Sequence, residues 1–253
     1  MNQVLLYFSL KYNGDFQQIY DALQNKEPID ESLFKELKER IKCSYVTLLD
    51  EDYPKQLKQI NNPPFVLYYY GDLSLTHHKS IGVIGMRKPN DYGKEVTQTI
   101  VKQLVNDDYT IVSGMAMGID GIAHTSAINN NGKTIAILGT SIETPYPKSN
   151  TELYQTLKKS HLVLSEYPFN TIHMPNTFPQ RNRIIAGLSD KLLVTQAHLH
   201  SGTMITVGYA LDQGKDIYAV PGRIFDPNGT LHLIDQGAKC VCNYEDIIET
   251  NSF

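Results

Sequence analysis

The chain has 253 residues, of which 41% are hydrophobic and 20% charged, a composition that excludes disordered, coiled-coil and collagen-like chains. No apolar run approaches the ~18 residues of a membrane span, residues 4–10 lack the flanks of a signal peptide, and three cysteines give no disulfide framework, so we expect a cytoplasmic protein. The formal net charge of −4 by itself argues against a nucleic-acid partner.

The N-terminal part, residues 1–45, has the periodicity of amphipathic helices, and Asp30 is a candidate start for the later helix. Apolar side chains recur there about every 3.6 residues, at Ile19, Leu23, Leu33, Phe34, Leu37 and Ile41. A Pro-Pro pair then precedes a predicted short strand at 65–70. We interpret the polar segment 71–79 as a junction.

From Ser80 onward, short apolar runs alternate with helical patterns. Six runs are rich in β-branched residues, at 81–85, 109–114, 134–139, 162–165, 191–195 and 216–222. Continuous apolar runs are typical of strands that are buried on both faces, which indicates a parallel sheet. Their alternation with helices predicts a doubly wound α/β domain, whose ligands bind beyond the carboxyl ends of the strands.

The turn after the first of these strands contains Gly85, Met86, Arg87 and Lys88. A glycine lets the chain turn closely beside a ligand, and an arginine can donate two hydrogen bonds to a phosphate. The alternative is an ordinary strand-to-helix turn with two solvated bases. Both interpretations remain open on this segment alone.

The turn after the second strand contains Ser113, Gly114 and Gly118 at the start of a helix. It weakly resembles a dinucleotide fingerprint, but it follows the second strand and lacks the acidic ribose partner, which disfavours an NAD enzyme. Close packing of helix on sheet explains Gly118 equally well. Asp120 and His124 lie four residues apart and could form an acid–base pair, although we favour a structural hydrogen bond for them.

Lys148 follows the third strand in a turn that we expect at the ligand-facing edge. Ser149 or Asn150 is expected to cap the helix at 151–159. A functional and a purely structural role for this turn are both open.

After the fourth strand, Arg181 and Arg183 flank Asn182 at the start of an otherwise apolar helix, with Phe178 just before them. Basic residues at a helix N-terminus oppose the helix dipole, so a purely structural role is less natural. Basic and aromatic side chains together are typical of single-stranded nucleic-acid binding. We therefore expect these side chains in a basic pocket.

The turn after the fifth strand contains Ser201 and Gly202, which open another helix and form a possible anion or capping site. His198 and His200 lie two residues apart, and no carboxylate or cysteine is near them in sequence. We therefore expect no metal site here.

The acidic charge of the chain is concentrated at its two ends. Residues 1–78 carry 8 basic and 11 acidic residues, and residues 240–253 carry 3 acidic residues and no Lys or Arg. Residues 79–239 carry 15 basic and 13 acidic residues, a net +2. The overall charge therefore conceals a slightly basic α/β segment, and it does not exclude a nucleic-acid partner.

Together these segments resemble the DNA-processing protein A family (DprA/Smf), in the family's order and over about residues 52–242. The matching stretches are 84–88, 113–124, 136–139, 146–150, 164–168, 178–189, 201–206, 219–222 and 233–238. The run Arg-Asn-Arg-Ile-Ile-Ala-Gly-Leu-Ser at 181–189 is the most specific of them.

The resemblance implies an extended Rossmann-like fold, an α/β doubly wound and mostly parallel sheet with a small N-terminal helical domain. Residues 1–50 would form that helical domain, similar to a sterile alpha motif. Residues 51–253 would form the Rossmann-like DNA-binding domain, with its core at 80–242.

The resemblance also implies a function without catalysis or cofactor: binding of single-stranded DNA and loading of RecA recombinase during natural transformation, by a homodimer. One alternative is a nucleotide-processing enzyme related to the phosphoribohydrolases, although their Pro-Gly-Gly-x-Gly-Thr loop and paired Glu do not occur in this chain. The other is an interaction protein that does not bind DNA.

By position in the family's motifs, twelve residues are expected to bind DNA: Gly85, Met86, Arg87, Lys88, Ser113, Gly114, Gly118, Lys148, Asn150, Phe178, Arg181 and Asn182. Four departures from the family's pattern bear on affinity. Met86 replaces a serine, Met174-Pro175 supplies no basic residue before Phe178, and Gln196 and Leu231 replace the usual Glu and Asn.

Overall fold

The protein is described by a computed structural model that covers residues 1–169 and 176–248. Its N-terminal part is helical, as the sequence predicts, with α1 (Asn2–Lys11), α2 (Phe16–Gln24) and α3 (Glu31–Glu39). The Asp15 carboxylate accepts a hydrogen bond from Gln18 N at 2.9 Å, and that of Asp30 accepts one from Leu33 N at 3.0 Å. These aspartates cap α2 and α3 and set where each helix begins.

The described residues form one nine-stranded sheet in the order β1-β2-β6-β5-β4-β3-β7-β8-β9. Its strands are β1 (Ser44–Thr47), β2 (Val66–Gly71), β3 (Ser80–Ile84), β4 (Thr110–Ser113), β5 (Thr134–Leu138), β6 (Leu162–Ser165), β7 (Lys191–Val194), β8 (Asp216–Ala219) and β9 (Lys239–Cys240). The pairs β1–β2 and β2–β6 are antiparallel, and all other neighbours are parallel. The six predicted runs correspond to β3–β8, which confirms the fold class.

The connecting helices are α4 (Asp91–Asn106), α5 (Ile119–Asn129), α6 (Thr151–Ser160), α7 (Thr177–Leu188), α8 (Gly202–Asp212), α9 (Gly229–Asp235) and α10 (Glu245–Ile248). The chain runs from β3 outward to β6 on one side and then returns to β7 on the other side of β3. The strand order therefore reverses between β3 and β7, which is where ligands bind in doubly wound sheets.

Helices cover both faces of the sheet. Ile81 and Val83 belong to the apolar cluster that includes α4 and α5, whereas Leu192 and Val194 belong to the cluster that includes α7 and α8. All four side chains are 0% exposed, and burial of each contributes roughly 1.5–3 kcal/mol to the free energy of folding. No helix in the described part of the chain has the length and apolarity to span a bilayer.

The N-terminal helices share their core with the sheet. Buried residues of α1, α2 and α3 form one cluster with Tyr68 of β2 and Tyr154 of α6, and the hydroxyls of Ser9 and Tyr68 are 2.9 Å apart. Strand β1 lies within the segment 1–50 and pairs with β2. The division of the chain at residue 50 stays a prediction.

Candidate functional site

A pocket of about 630 Å³ opens beyond the carboxyl ends of β3 and β7. Four of the turns singled out by the sequence meet there, and they contribute Gly85, Met86, Arg87, Lys88, Met117, Phe178, Arg181, Asn182, His198, Ser201 and Gly202. We call it the switch-point pocket, because the strand order reverses at this place.

The rim of the switch-point pocket carries two exposed cations, Arg87 and Lys88. The backbone beneath them is fixed, because Met86 N donates a hydrogen bond to the Gln196 carbonyl at 2.8 Å. Gly118, at φ +75°, packs against the carbonyls of Met86 and Arg87, where a Cβ would collide with backbone. A tightly held turn therefore presents two cationic side chains to solvent.

One wall of the pocket is apolar. Phe178 is half-buried, its ring lies 5.4 Å from that of Tyr146, and it covers Gly139, where a Cβ would come within 2.7 Å of Phe178 Cδ1. Met117 and Ile205, 42% and 43% exposed, also line the pocket. Neither residue was predicted as a site residue, although both lie in stretches that match the family, at 113–124 and 201–206.

Arg181 lies at the bottom of the pocket and is 6% exposed. Its Nη1 donates to the carbonyls of Gly114, at 2.6 Å, and Ile137, and its Nε donates to Asn182 Oδ1 at 3.1 Å. Burial lowers the pKa of Arg181 to about 10, which still leaves the guanidinium charged at neutral pH. Arg181 therefore fastens α7 to the ends of β4 and β5 beneath the pocket.

Arg183 points away from the pocket, so the expectation that it adds to the pocket's basic surface is wrong. It is 5% exposed, and its Nη2 donates to both carboxylate oxygens of Glu166, at 2.7 and 2.9 Å. Its Nε donates to the Asn62 carbonyl at 2.9 Å. The reason is helical geometry, since residues two apart on a helix do not share a face.

Asp120 and His124 have separate partners. The buried Asp120 carboxylate accepts a hydrogen bond from Gly114 N at 3.1 Å, and burial raises its pKa while the nearby Arg181 charge opposes the rise. His124 Nδ1 lies 2.6 Å from Thr134 Oγ1, and burial lowers the pKa of His124 to about 3. The structural interpretation that the sequence favoured therefore describes both side chains.

A second cavity, of about 980 Å³, runs between α4, α5 and α6, and we call it the α4–α6 groove. Arg87 and Lys88 line it as well as the switch-point pocket, and Gly118 and Asn150 line the groove alone. The predicted site residues are thus divided between two adjoining cavities.

Asn150 connects the wall of the groove to the turn after β4. Its Nδ2 donates to the carbonyls of Met115, at 3.0 Å, and Ala116, at 3.2 Å. The predicted cap of α6 by Asn150 or Ser149 is wrong, because neither side chain accepts a hydrogen bond from the start of the helix. The amide of Asn150 is instead used to hold the turn after β4.

Three of the twelve predicted residues line neither cavity. Ser113 is buried, and its hydroxyl donates to the Val83 carbonyl at 2.7 Å. Gly114 is buried against Arg181, whose Nη1 would be 2.6 Å from an added Cβ. Lys148 is exposed in the turn before α6. That these twelve residues contact DNA stays a prediction.

The start of α8 also faces the switch-point pocket. The helix begins at Gly202, as predicted, but the Ser201 side chain accepts no hydrogen bond from its first turn; the hydroxyl instead donates to the His198 carbonyl at 2.8 Å. The positive end of an uncapped helix dipole attracts anions. Among the described residues no group of three or more His, Cys, Asp or Glu is arranged to hold a metal ion.

The departures from the family's pattern fall in different places. Gln196 fixes the start of α4, since its Oε1 accepts from Asn90 N at 3.1 Å and its Nε2 donates to Asn90 Oδ1 at 2.8 Å. Leu231 is 41% exposed on α9. Met174 and Pro175 lie outside the described residues.

Comparison with known proteins gives consistent matches. The family model for DNA recombination-mediator protein A matches residues 44–252. DNA processing protein DprA of Bacillus subtilis (strain 168) is 41% identical over 207 residues, which are 81% of this chain and 70% of that protein.

Two solved structures are similar. That of DNA processing protein A from Streptococcus pneumoniae has a TM-score of 0.82 and 35% identity, covering 100% of this chain and 94% of that one. The other is the structure of DNA processing protein A from Helicobacter pylori, which is described for its single-stranded DNA binding mode. It has a TM-score of 0.75 and 32% identity, and the match covers 83% of this chain and 96% of that one.

Proposed function

Because the chain belongs to the DNA recombination-mediator protein A family, we propose that it binds single-stranded DNA in the switch-point pocket. The observation that carries the proposal is the pairing of two exposed cations, Arg87 and Lys88, with the half-buried ring of Phe178 across one pocket. Proteins that bind single strands combine a cationic path for the phosphates with aromatic faces for the bases.

Different parts of the pocket bind the phosphates and the bases of the strand. Arg87 and Lys88 hold phosphate oxygens at the rim, where Arg87 can donate two parallel hydrogen bonds. The start of α8 at Gly202 offers a second attractive position for a phosphate. A base lies against Phe178, and the backbone hydrogen bond from Met86 to Gln196 keeps the turn with the two cations in place. These contacts read no base edge, so binding is independent of sequence.

The proposed role is binding without a chemical step. Asp120 and His124 form separate structural contacts, which leaves neither oriented toward the other for proton transfer. The enzymatic alternative predicts free base after incubation with nucleoside monophosphates, and its detection would replace this proposal.

We further propose that the protein acts in the cytoplasm as a homodimer that loads RecA recombinase on the bound strand during natural transformation. The description of the family as a recombination mediator supports this step. A purified-component assay tests it: RecA filament growth on DNA coated by single-strand-binding protein should accelerate when this protein is added. Capture of RecA without any DNA binding would favour the interaction-protein alternative.

The substitution Arg87→Ala tests the pocket. We expect it to lower affinity for oligothymidylate about ten-fold, as for loss of a charge-assisted hydrogen bond worth about 1.5 kcal/mol. It should also reduce the slope of log affinity against log salt by ~0.7, because one phosphate contact is lost. Fluorescence anisotropy over a salt titration measures both.

Lys133→Ala is the matched control for Arg87→Ala. Lys133 is exposed just before β5, at the amino end of the strands and so at the opposite edge of the sheet. Lys133→Ala should bind oligothymidylate with the affinity and the salt slope of the wild type. If Arg87→Ala also behaves as the wild type does, the switch-point pocket is not the DNA site.

A further inference from the structure

We propose that a DNA strand longer than the switch-point pocket continues into the α4–α6 groove, which binds its phosphates. This inference rests on the proposed function, and it adds a second contact region to the first. The ionisable residues that line the groove are four basic ones, Arg87, Lys88, Lys94 and Lys102, and one acidic one, Glu152. A groove with this excess of positive charge attracts a polyanion.

The two cavities adjoin through shared residues. Arg87 and Lys88 line the switch-point pocket on one side and the α4–α6 groove on the other. A strand whose phosphates contact these two cations in the pocket therefore has its next phosphates at the mouth of the groove.

The wall formed by α4 places its cations in a line away from the pocket. Lys94, Gln98 and Lys102 are exposed and spaced by four residues, so they share a face of the helix. Lys102 lies ~12 Å along the axis from Lys94, at 1.5 Å per residue. Because α4 starts next to the pocket, where Gln196 holds Asn90, Lys102 lies well beyond the pocket's reach.

The two lysines of α4 differ in availability. Lys94 Nζ is 2.9 Å from the Asp91 carboxylate, which compensates part of its charge. Lys102 has no carboxylate within 4.0 Å among residues 1–169 and 176–248. Of the two lysines, Lys102 is therefore the one whose charge no carboxylate of the described residues compensates. It lines the groove and not the switch-point pocket, so it is the best probe of the groove.

The floor of the groove is uncharged and is formed by α5, which contributes the apolar Ile122 and Ile128 as well as polar side chains. Of the polar ones, Thr125 and Asn129 are exposed at a spacing of four residues. A hydroxyl and an amide can donate hydrogen bonds to phosphate and sugar oxygens without selecting a base. The only carboxylate that lines the groove within the described residues, Glu152, lies in the first turn of α6.

Oligonucleotide length separates the groove from the pocket. The experiment compares oligothymidylates of about 4 and about 16 nucleotides, the range of site sizes seen for single-strand-binding folds. Lys102→Ala should leave affinity for the short strand unchanged. For the long strand it should lower affinity about two- to five-fold and the salt slope by ~0.7.

A second variant and a control complete the test. Gln98→Glu adds a negative charge in the groove without removing a cation, and it should weaken binding of the long strand alone. Lys133→Ala, at the opposite edge of the sheet, should leave the affinities for the short and the long strand unchanged. Circular dichroism confirms that these surface variants fold.

The outcomes distinguish the two proposals. If the wild type binds the short strand and both groove variants bind the long strand as tightly as the wild type, the groove inference is overturned and the pocket proposal stands. If the wild type binds neither strand, both proposals fail. If Lys102→Ala weakens short and long strands equally, the groove is not a separate contact region and the inference is likewise overturned.

Discussion

Two basic regions of this protein lie next to each other and differ in what their charges face. The buried layer around α7 contains Arg181, beneath the switch-point pocket, and Arg183, which points away from it. Their guanidinium groups contact backbone carbonyls, Asn182 and the Glu166 carboxylate. The exposed rim contains Arg87 and Lys88, which have no carboxylate within 4.0 Å in the described chain. The basic side chains of the buried layer are hydrogen-bonded to protein groups, whereas those of the rim are available to a ligand.

The difference follows from the cost of desolvation. A buried charge is tolerated only when hydrogen bonds and an opposite charge replace its water, so the buried layer is a structural requirement. A charge at the rim keeps its water until a phosphate displaces it, so it contributes to binding and little to folding. Substitutions in the two regions should therefore change different measurements.

The largest effect is expected for Arg183→Met in the buried layer. It leaves the Glu166 carboxylate, 4% exposed, without its partner, and the free energy of unfolding should fall by about 3–5 kcal/mol. Urea unfolding measures this loss as a lower midpoint. The protein that remains folded should still bind oligothymidylate as the wild type does, because Arg183 points away from the pocket.

A double variant separates an unpaired charge from lost packing. Glu166→Leu combined with Arg183→Met removes both charges, and it should recover most of the stability lost in Arg183→Met. If the double variant is as unstable as Arg183→Met, the loss of stability comes from lost packing and not from the unpaired Glu166 charge.

The next effect is a dependence of stability on pH from His124. Burial lowers its pKa to about 3, whereas an unfolded histidine titrates near 6.5. As the pH falls below about 6.5, His124 takes up a proton in the unfolded chain but not in the folded one. The free energy of unfolding therefore falls by about 1.4 kcal/mol per pH unit from about pH 6.5 toward pH 3, and above pH 6.5 the contribution of His124 is complete.

The substitution His124→Gln removes that titration while offering a side chain that can still hydrogen-bond Thr134. As the pH falls from 7 to about 4, the free energy of unfolding should decrease more for the wild type than for the variant. His77→Gln, at an exposed position, is the control. Parallel pH profiles for wild type and His124→Gln would contradict the assignment.

The fold was predictable because its signals are local. Continuous apolar runs such as Leu162–Ser165 indicate buried parallel strands, and Asp30 caps α3 at the position the sequence suggested. The rim of the site was predictable for the same reason, since the topology of parallel strands brings Arg87 and the start of α8 to one edge.

Side-chain direction and distant partners were not predictable. Arg181 and Arg183 both lie in the N-terminal half of α7, and the rotation of α7 about its axis, set by packing, decides which one underlies the pocket. Asn150 has the residue type and position of a helix cap, but its amide finds carbonyls 34 and 35 residues earlier in the chain. Only the assembled structure brings those groups together.

The smallest effect, and the one that most sharpens the comparison, is expected for Lys148→Ala. Lys148 lines neither cavity, yet its turn is held at both, since the Tyr146 ring contacts Phe178 of the pocket and Asn150 lines the groove. As an exposed residue, Lys148 on substitution should change the free energy of unfolding by no more than about 0.5 kcal/mol. If it contacts a phosphate, affinity for a long oligothymidylate should fall about two- to five-fold and the salt slope by ~0.7. Lys159→Ala, exposed at the far end of α6, is the matched control, and equal slopes for the two variants would make Lys148 an ordinary solvated turn residue.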